Sequence, residues 1–325
     1  MLKKTLLALV ILLILILGAC SNSDEQVEQQ VDDYPEESIK LIVPWDAGGD
    51  TDIIFRLVAD GLSEEIGEKV VIENIAGGSG VVGAQEFLSA ENDGYTLLAV
   101  HDSVTLSQLT GQADFGFDDF EPISLLTSDY DTVATHPDSK WEDMEDLIED
   151  AKENPGEITF AASVGSTTQL LPAMIQSAAD VEFNIVGYDG TAERMKAIAG
   201  GDVDLGGVSV AAGKEYLEDD RMKLLGFAGD ERSEQLPDTE TLGEQGVEAE
   251  VATNRGIVAP QDTPDEIIEI LSEALDEVVN DEEFEEKVSE LGTDTNYKNP
   301  EEYKEFIEEN KTLMEKSLKD ADLLD

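Results

Sequence analysis

Ser38-Ile-Lys-Leu-Ile-Val-Pro-Trp-Asp-Ala-Gly-Gly-Asp-Thr-Asp52, continued by Ile53-Ile-Phe-Arg-Leu-Val-Ala-Asp-Gly-Leu62, reads as strand, loop and helix. Ile39, Leu41, Ile42 and Val43 are apolar and β-prone, Pro44 stops the ladder, and Gly48-Gly49 let the backbone turn tightly. Asp50 or Thr51 can cap the helix, and Ile53, Ile54, Leu57, Val58, Leu62 and Ile66 recur at the spacing of one helical face. First-turn amides have no partner within a helix and sit at the positive end of its dipole, so a glycine loop there can hold a carboxylate. The same turn can also serve geometry alone.

Working outward, strands and helices alternate. Strands are expected at 69–74 and 95–100, with a glycine loop at 76–84 running into a helix that ends near Ala90. Candidate strands 123–127 and 131–134 lead to a helix at 141–153, a strand at 157–162 and the loop Ser163-Val-Gly-Ser-Thr-Thr-Gln169 before a helix at 170–179. That is the opening pattern again, with Ser166, Thr167 and Thr168 adding hydroxyl donors to the amides or capping the helix. A strand at 183–188, a helix at 191–199 with Met195 and Ile198 inward, and a strand at 222–227 close a second α/β block. Residues 256–260 return to the style of the first, and helices at 263–280 and 300–324 are expected to pack on it. The alternation gives an α/β fold with mostly parallel strands.

Composition narrows the function. With 325 residues there is room for about two domains. Seventy-five acidic against 20 basic residues give a net charge of −55. Nucleic acid and anionic lipid are poor partners for such a field. A salt-rich source is expected, because at ~1 M salt the Debye length shrinks to ~3 Å and only close contacts survive. Met1-Leu-Lys-Lys is a cationic start, and the apolar run 6–17 is shorter than a ~20-residue span, so residues 1–19 read as an export signal. Leu17-Gly18-Ala19-Cys20 matches a lipobox, and Cys20 is the sole cysteine. The protein is therefore expected to be lipid-anchored through Cys20 on the extracytoplasmic face of the membrane, with 20–33 as a polar tether.

Chemistry for catalysis is sparse. Only His101 and His136 exist, no G-x-S-x-G or Walker motif occurs, and neither a metal nor a cofactor is expected. Asp46, Asp50 and Asp52 crowd one loop without the full ligand pattern of a calcium site. Gly78, Gly80 and Gly83 fit G-x-G-x-x-G with Asp102 downstream, but the loop starts well past its strand, so a cleft-lining loop fits better than a dinucleotide site.

From Tyr34 onward the chain resembles the substrate-binding receptors of tripartite tricarboxylate transporters, the Bug family. The resemblance rests on Tyr34-Pro35, Trp45 with Gly48-Gly49 and Asp52, Val71-Ile-Glu-Asn74, Asp93-Gly-Tyr-Thr-Leu97, Gly165-Ser-Thr167, Tyr188-Asp-Gly190, Gly201-Asp-Val-Asp204 and Thr241-Leu-Gly-Glu-Gln-Gly246, in that order. It implies a two-lobe periplasmic-binding-protein-like fold (type II) with a central cleft, lobe 1 being 34–133 plus 252–325 and lobe 2 being 134–251. It further implies a small carboxylate held by Trp45, Ala47, Gly48, Gly49 and Asp52 on one side and Ser166, Thr167 and Thr168 on the other, with Asp189 and Gly190 at the distal end. Membrane permease subunits are the implied partners, and a monomer without enzymatic activity is expected. An exported α/β enzyme acting on a small organic acid is the competing reading. Asp46, Asp50, Gln169, Gly187 and Arg255 depart from the family pattern, and Asp50 beside the pocket favours a monocarboxylate or an amino-bearing acid over citrate.

Overall fold

A computed structural model describes residues 34–162, 167–188, 191–210, 213, 216–217, 219–233, 235–321 and 323–324. The first block runs β1 (Ile39–Val43), α1 (Asp50–Ile66), β2 (Val70–Asn74), α2 (Val81–Phe87), β3 (Thr96–His101) and α3 (Ser103–Leu109). Ile39, Leu41 and Val43 are fully buried on one face of β1 and Ile42 on the other, so this strand needs cover on both sides. Phe55, Val58, Ala59 and Leu62 of α1 cover the first face and Ile54 is buried too; Ile53 faces solvent, so the buried stripe lies one residue round from the expected one.

β4 (Phe120–Thr135) follows, then α4 (Met144–Glu153), β5 (Thr159–Ala162), α5 (Leu170–Ala179), β6 (Asn184–Gly187), α6 (Thr191–Gly200), β7 (Leu205–Ser209) and β8 (Lys223–Phe227). The chain then returns through β9 (Ala252–Pro260), α7 (Asp265–Val279), α8 (Glu282–Glu290), β10 (Asp294–Lys298) and α9 (Pro300–Asp320). Strand order is β2-β1-β3-β9-β4-β7-β5-β6, with β8 and β10 also pairing on β4.

Within each half the order of connection reverses about one strand. β1 pairs in parallel with β2 on one side and β3 on the other; β5 pairs in parallel with β6 and β7. A crevice opens at the carboxyl end of a strand where the winding reverses, which is where open α/β sheets place ligands. For β1 that point is residues 44–49.

The halves are joined by β4 and β9. The two expected strands at 123–127 and 131–134 are one 16-residue strand, because β4 pairs with β9 through Tyr130 and then with β7 from Asp131 without a break. Pro122, which has no N–H to give, sits at a register shift in that ladder. α7 packs on the α1 face of the first half. α9 does not stay there: Tyr303 and Ile307 pack on Leu98, Val100 and Phe120, whereas Met314 and Leu318 join the core of Leu170, Leu171 and Met174.

Four elements carry no sequence signal strong enough to be expected: α3, β7, α8 and β10. α8 starts where Asp281 accepts from the amides of Glu283 and Phe284. β10 is the polar run Asp-Thr-Asn-Tyr-Lys, a strand only because the edge of β4 offers it a ladder.

Candidate functional site

The loop between β1 and α1 is held from below by one buried carboxylate. Asp52, 1% exposed, accepts from the Gly48 amide at 2.7 Å, from Arg56 Nε and Nη2 at 2.8 and 2.9 Å, and from Asn74 Nδ2 at 2.8 Å. Asn74 also donates to the Trp45 carbonyl at 3.1 Å. Burial works against the charge on Asp52, but the hydrogen bonds from Arg56, Gly48 and Asn74 outweigh it and hold the carboxyl below its usual range. The helix cap is Gly49, with no side chain capping, in place of the Asp50 or Thr51 expected.

This wiring changes which amides are available. The Gly48 N–H is used by Asp52 and the Gly49 N–H by the Asp46 carbonyl at 3.3 Å. The first intrahelical bond runs from Ile53 to Gly49, so the amides of Asp50, Thr51 and Asp52 precede it and have no helical partner. Of the expected contact residues, Gly48, Gly49 and Asp52 thus bond within the turn, and the amides without a helical partner lie one step on, from Asp50 to Asp52. Ala47 stays on the exposed rim.

Trp45 is half-buried and stacks on His101, ring centroids 4.0 Å apart at 16°. His101 Nδ1 accepts from the Ser103 amide at 3.1 Å; burial, reinforced by Arg255, pushes its pKa down to about 3, so the ring is neutral. The glycine loop at 76–84 serves this corner. A Cβ on Gly80 would meet the Trp45 ring at 3.2 Å, and one on Gly83 would meet Pro44 and the Ile75 carbonyl at 2.7 Å. Those glycines let α2 close on the first loop. Asp102 does not point at that loop: its oxygens accept from the Asn254 amide at 2.7 Å, Asn254 Nδ2 at 3.2 Å and Asn310 Nδ2 at 2.7 Å, tying β3 to β9 and α9.

The strands that join the halves present a charged face to this corner. Register puts Thr127 opposite Arg255 and Asp129 opposite Thr253, and His101 also pairs with Arg255, so these side chains share one face of the sheet. Arg255 is buried and reaches the first turn of α1, its Nε donating to Thr51 Oγ1 at 3.3 Å. Asp131 lies beside Arg194, which donates to the Gly207 carbonyl at 3.2 Å.

Burial pushes Asp102 to about 6, Asp129 to about 7 and Asp131 to about 6, from an ordinary 3.8. Arg255 pulls Asp129 back while Asp131, Asp50 and Asp294 push it further; Arg194 pulls Asp131 back. Each folded value lies above the unfolded one, so folding favours the neutral form. The stability this gives is complete below the unfolded value and lost as pH rises through the folded values. The melting temperature is therefore expected to rise on acidification from about pH 8 to about pH 5 in high salt, and to rise less in Asp129→Asn. A flat or inverted profile contradicts it.

In the second half, Thr167 and Thr168 open a short 3-10 turn, Thr167–Gln169, that runs straight into α5. Ser166, Asp189 and Gly190 lie outside the described residues, as does Cys20. Among the described residues no group of three or more His, Cys, Asp or Glu is arranged to hold a metal ion, and no helix is long and apolar enough to cross a membrane. Arg255, Asp129, Asp102 and Asn310 were not marked as site residues by sequence. Two of them had a signal of another kind, Arg255 as a departure from the family pattern and Asp102 as the acid downstream of a G-x-G-x-x-G loop.

Comparison with known proteins gives the family and the fold. The profile of the tripartite tricarboxylate transporter family receptor, TctC, matches residues 54–323. A UPF0065 protein in the gbd 5' region of Cupriavidus necator is 32% identical over 301 residues, 89% of this chain and 90% of that one. A TctC solute binding protein from Polaromonas, solved without ligand, superposes with a TM-score of 0.81 at 23% identity, covering 88% of this chain and 99% of that one. Rpa4515 of R. palustris, solved with adipate, superposes at 0.75 with 27% identity over 90% and 99%. The two-lobe α/β architecture is that of periplasmic solute-binding proteins.

Proposed function

Because the chain belongs to the tripartite tricarboxylate transporter receptor family, we propose that it captures a small carboxylate between its lobes and delivers it to the membrane subunits of such a transporter. The observation that carries this reading is the unpartnered first turn of α1, set at the reversal of strand order about β1 and walled by Trp45 on His101. The carboxyl end of β5 is the equivalent reversal in the second half. In this reading Trp45 and Ala47 shape the pocket, Gly48, Gly49 and Asp52 fix its amides, and Ser166, Thr167 and Thr168 close on the acid from the other lobe. Asp189 and Gly190 meet its distal part. Lobe 1 is 34–133 plus 252–325 and lobe 2 is 134–251, turning about β4 and β9. The neighbour solved with adipate supports an organic acid as the class of solute.

Binding, not turnover, is the role. A ligand that prefers the closed arrangement selects it, and fixed amides closed around a carboxylate are worth more once water is expelled. Residues 1–19 direct export, Cys20 carries the lipid, and 20–33 tether a monomer to the outer side of the membrane. The acidic surface suits work at high salt, where it is screened.

The test is calorimetric titration of the purified protein at about 1 M salt with adipate, succinate, propionate, glutamate and citrate. At least one acid is expected to bind, raise the melting temperature and change the tryptophan fluorescence, since in this reading the Trp45 ring, stacked on His101, walls the site. Silence across the panel, together with no small acid retained through native purification, would remove the carboxylate reading.

A further inference from the structure

The guanidinium of Arg255 is 4% exposed, on a strand whose next residues are the buried Gly256, Ile257, Val258 and Ala259. A cation placed there is strongly disfavoured unless close, well-aligned acceptors replace the water it loses. Arg255 has none. Nε reaches Thr51 Oγ1 at 3.3 Å, Nη1 the Thr253 carbonyl at 3.4 Å, and Nη2 stands 3.7 Å from Asp129 Oδ2, beyond hydrogen-bond length. A settled arginine-carboxylate pair is bidentate at about 2.7–2.9 Å. Its partner is no better served: Asp129 Oδ1 is buried with no hydrogen-bond partner among the described residues, and so is Thr127 Oγ1 on the same face. A slack ion pair, short of acceptors, lies directly under the first turn of α1, where free amides also await an anion.

We infer that Arg255 is a ligand anchor, receiving the carboxylate of the captured acid together with the first-turn amides of α1, and that Asp129 is the counter-ion it exchanges for that carboxylate. The inference rests on the receptor reading above and adds a residue and a charge exchange to it. Asp129 faces Arg255 on β9, Asp131 on its own strand, Asp50 in the first turn of α1 and Asp294 on β10; Arg255 also faces Asp50, Asp102 and the neutral His101. Among these Arg255 is the one cation, so an acid that takes it leaves Asp129 among carboxylates. Asp129 then takes up a proton, which its value of about 7 makes easy near neutral pH.

The experiment repeats the titration with adipate, succinate, propionate and glutamate on the wild type, Arg255→Gln, Arg255→Lys and Asp129→Asn, with melting temperatures for each. For whichever acid the wild type binds, Arg255→Gln is expected to weaken affinity by about 10- to 100-fold, with Arg255→Lys between. Asp129→Asn is expected to tighten it, by removing the competitor. Wild-type affinity should rise as pH falls from about 8 to 6, by up to about tenfold per unit, with up to one proton taken up per acid bound; Asp129→Asn should lose both effects. A purely structural pair predicts otherwise: both variants melt earlier, Asp129→Asn binds no more tightly, and the pH slope persists. That result overturns the inference, as does unchanged affinity in Arg255→Gln. Should Arg255→Gln fail to fold, Asp129→Asn and the wild-type proton uptake decide alone. If no acid binds even the wild type, the receptor reading itself falls.

Discussion

Alanine in place of Asp102 is expected to lower the unfolding free energy by about 2–4 kcal/mol, measured by urea denaturation at fixed high salt. Its carboxylate is 4% exposed and gathers three donors, the Asn254 amide, Asn254 Nδ2 and Asn310 Nδ2, from two elements far apart in sequence. Removing it strands those donors at about 1–3 kcal/mol each, partly offset by losing a charge that burial disfavours. Asp102→Asn should cost less than alanine at low pH, where the native carboxyl is already protonated. Since burial raises Asp102 to about 6, the wild-type advantage it confers is greatest below the unfolded value and shrinks as pH passes that figure. Equal stability of Asp102→Ala and wild type would show that α9 and β9 are held by their apolar contacts alone.

The second large effect is expected at Asp52. Asp52→Ala frees Gly48, Asn74 and Arg56 at once, and should cost about 1–3 kcal/mol; Arg56 is half exposed, so its share is small. The larger consequence is for binding, because the loop that presents the first-turn amides loses its fastening. Affinity for any acid bound by the wild type should fall at least about tenfold, as expected when oriented donors become mobile. The pH dependence has the opposite sign to that of Asp102. Asp52 is held below its usual value, so its stabilisation is present above the unfolded value and lost as pH falls through the folded one. An acid-induced unfolding step present in wild type and weaker in Asp52→Ala is the signature. Retained affinity in the variant would mean that the turn is held by its glycines.

The two carboxylates show how far sequence carries the site. In the sequence Asp52 is one of three acids crowding a loop and, through the family resemblance, a ligand contact. Only the fold brings Asn74 beside it, and with Asn74 in place Asp52 fastens the loop from below. Asp102 read as the acid that would complete a dinucleotide fingerprint. Its partners lie 152 and 208 residues away, separations that no local pattern encodes.

Residues within one element and its next turn were readable because their signal is local. The apolar run of β1, the break at Pro44, the paired glycines and the helical spacing after Asp50 fixed strand, loop and helix, and the repeat of that order at 157–179 fixed a second α/β block. Hydrophobic periodicity records which side of an element faces a core, so it survives without knowledge of the partner. Which partner arrives is a different question. That β4 is one strand through both halves, that β10 forms on its edge and that α9 crosses from one core to the other depend on long-range pairing. The same holds for Arg255. Sequence marks it as a departure from the family pattern, whereas its place beneath the first turn of α1, 204 residues earlier, exists only once β9 lies against β3 and the sheet has closed the distance.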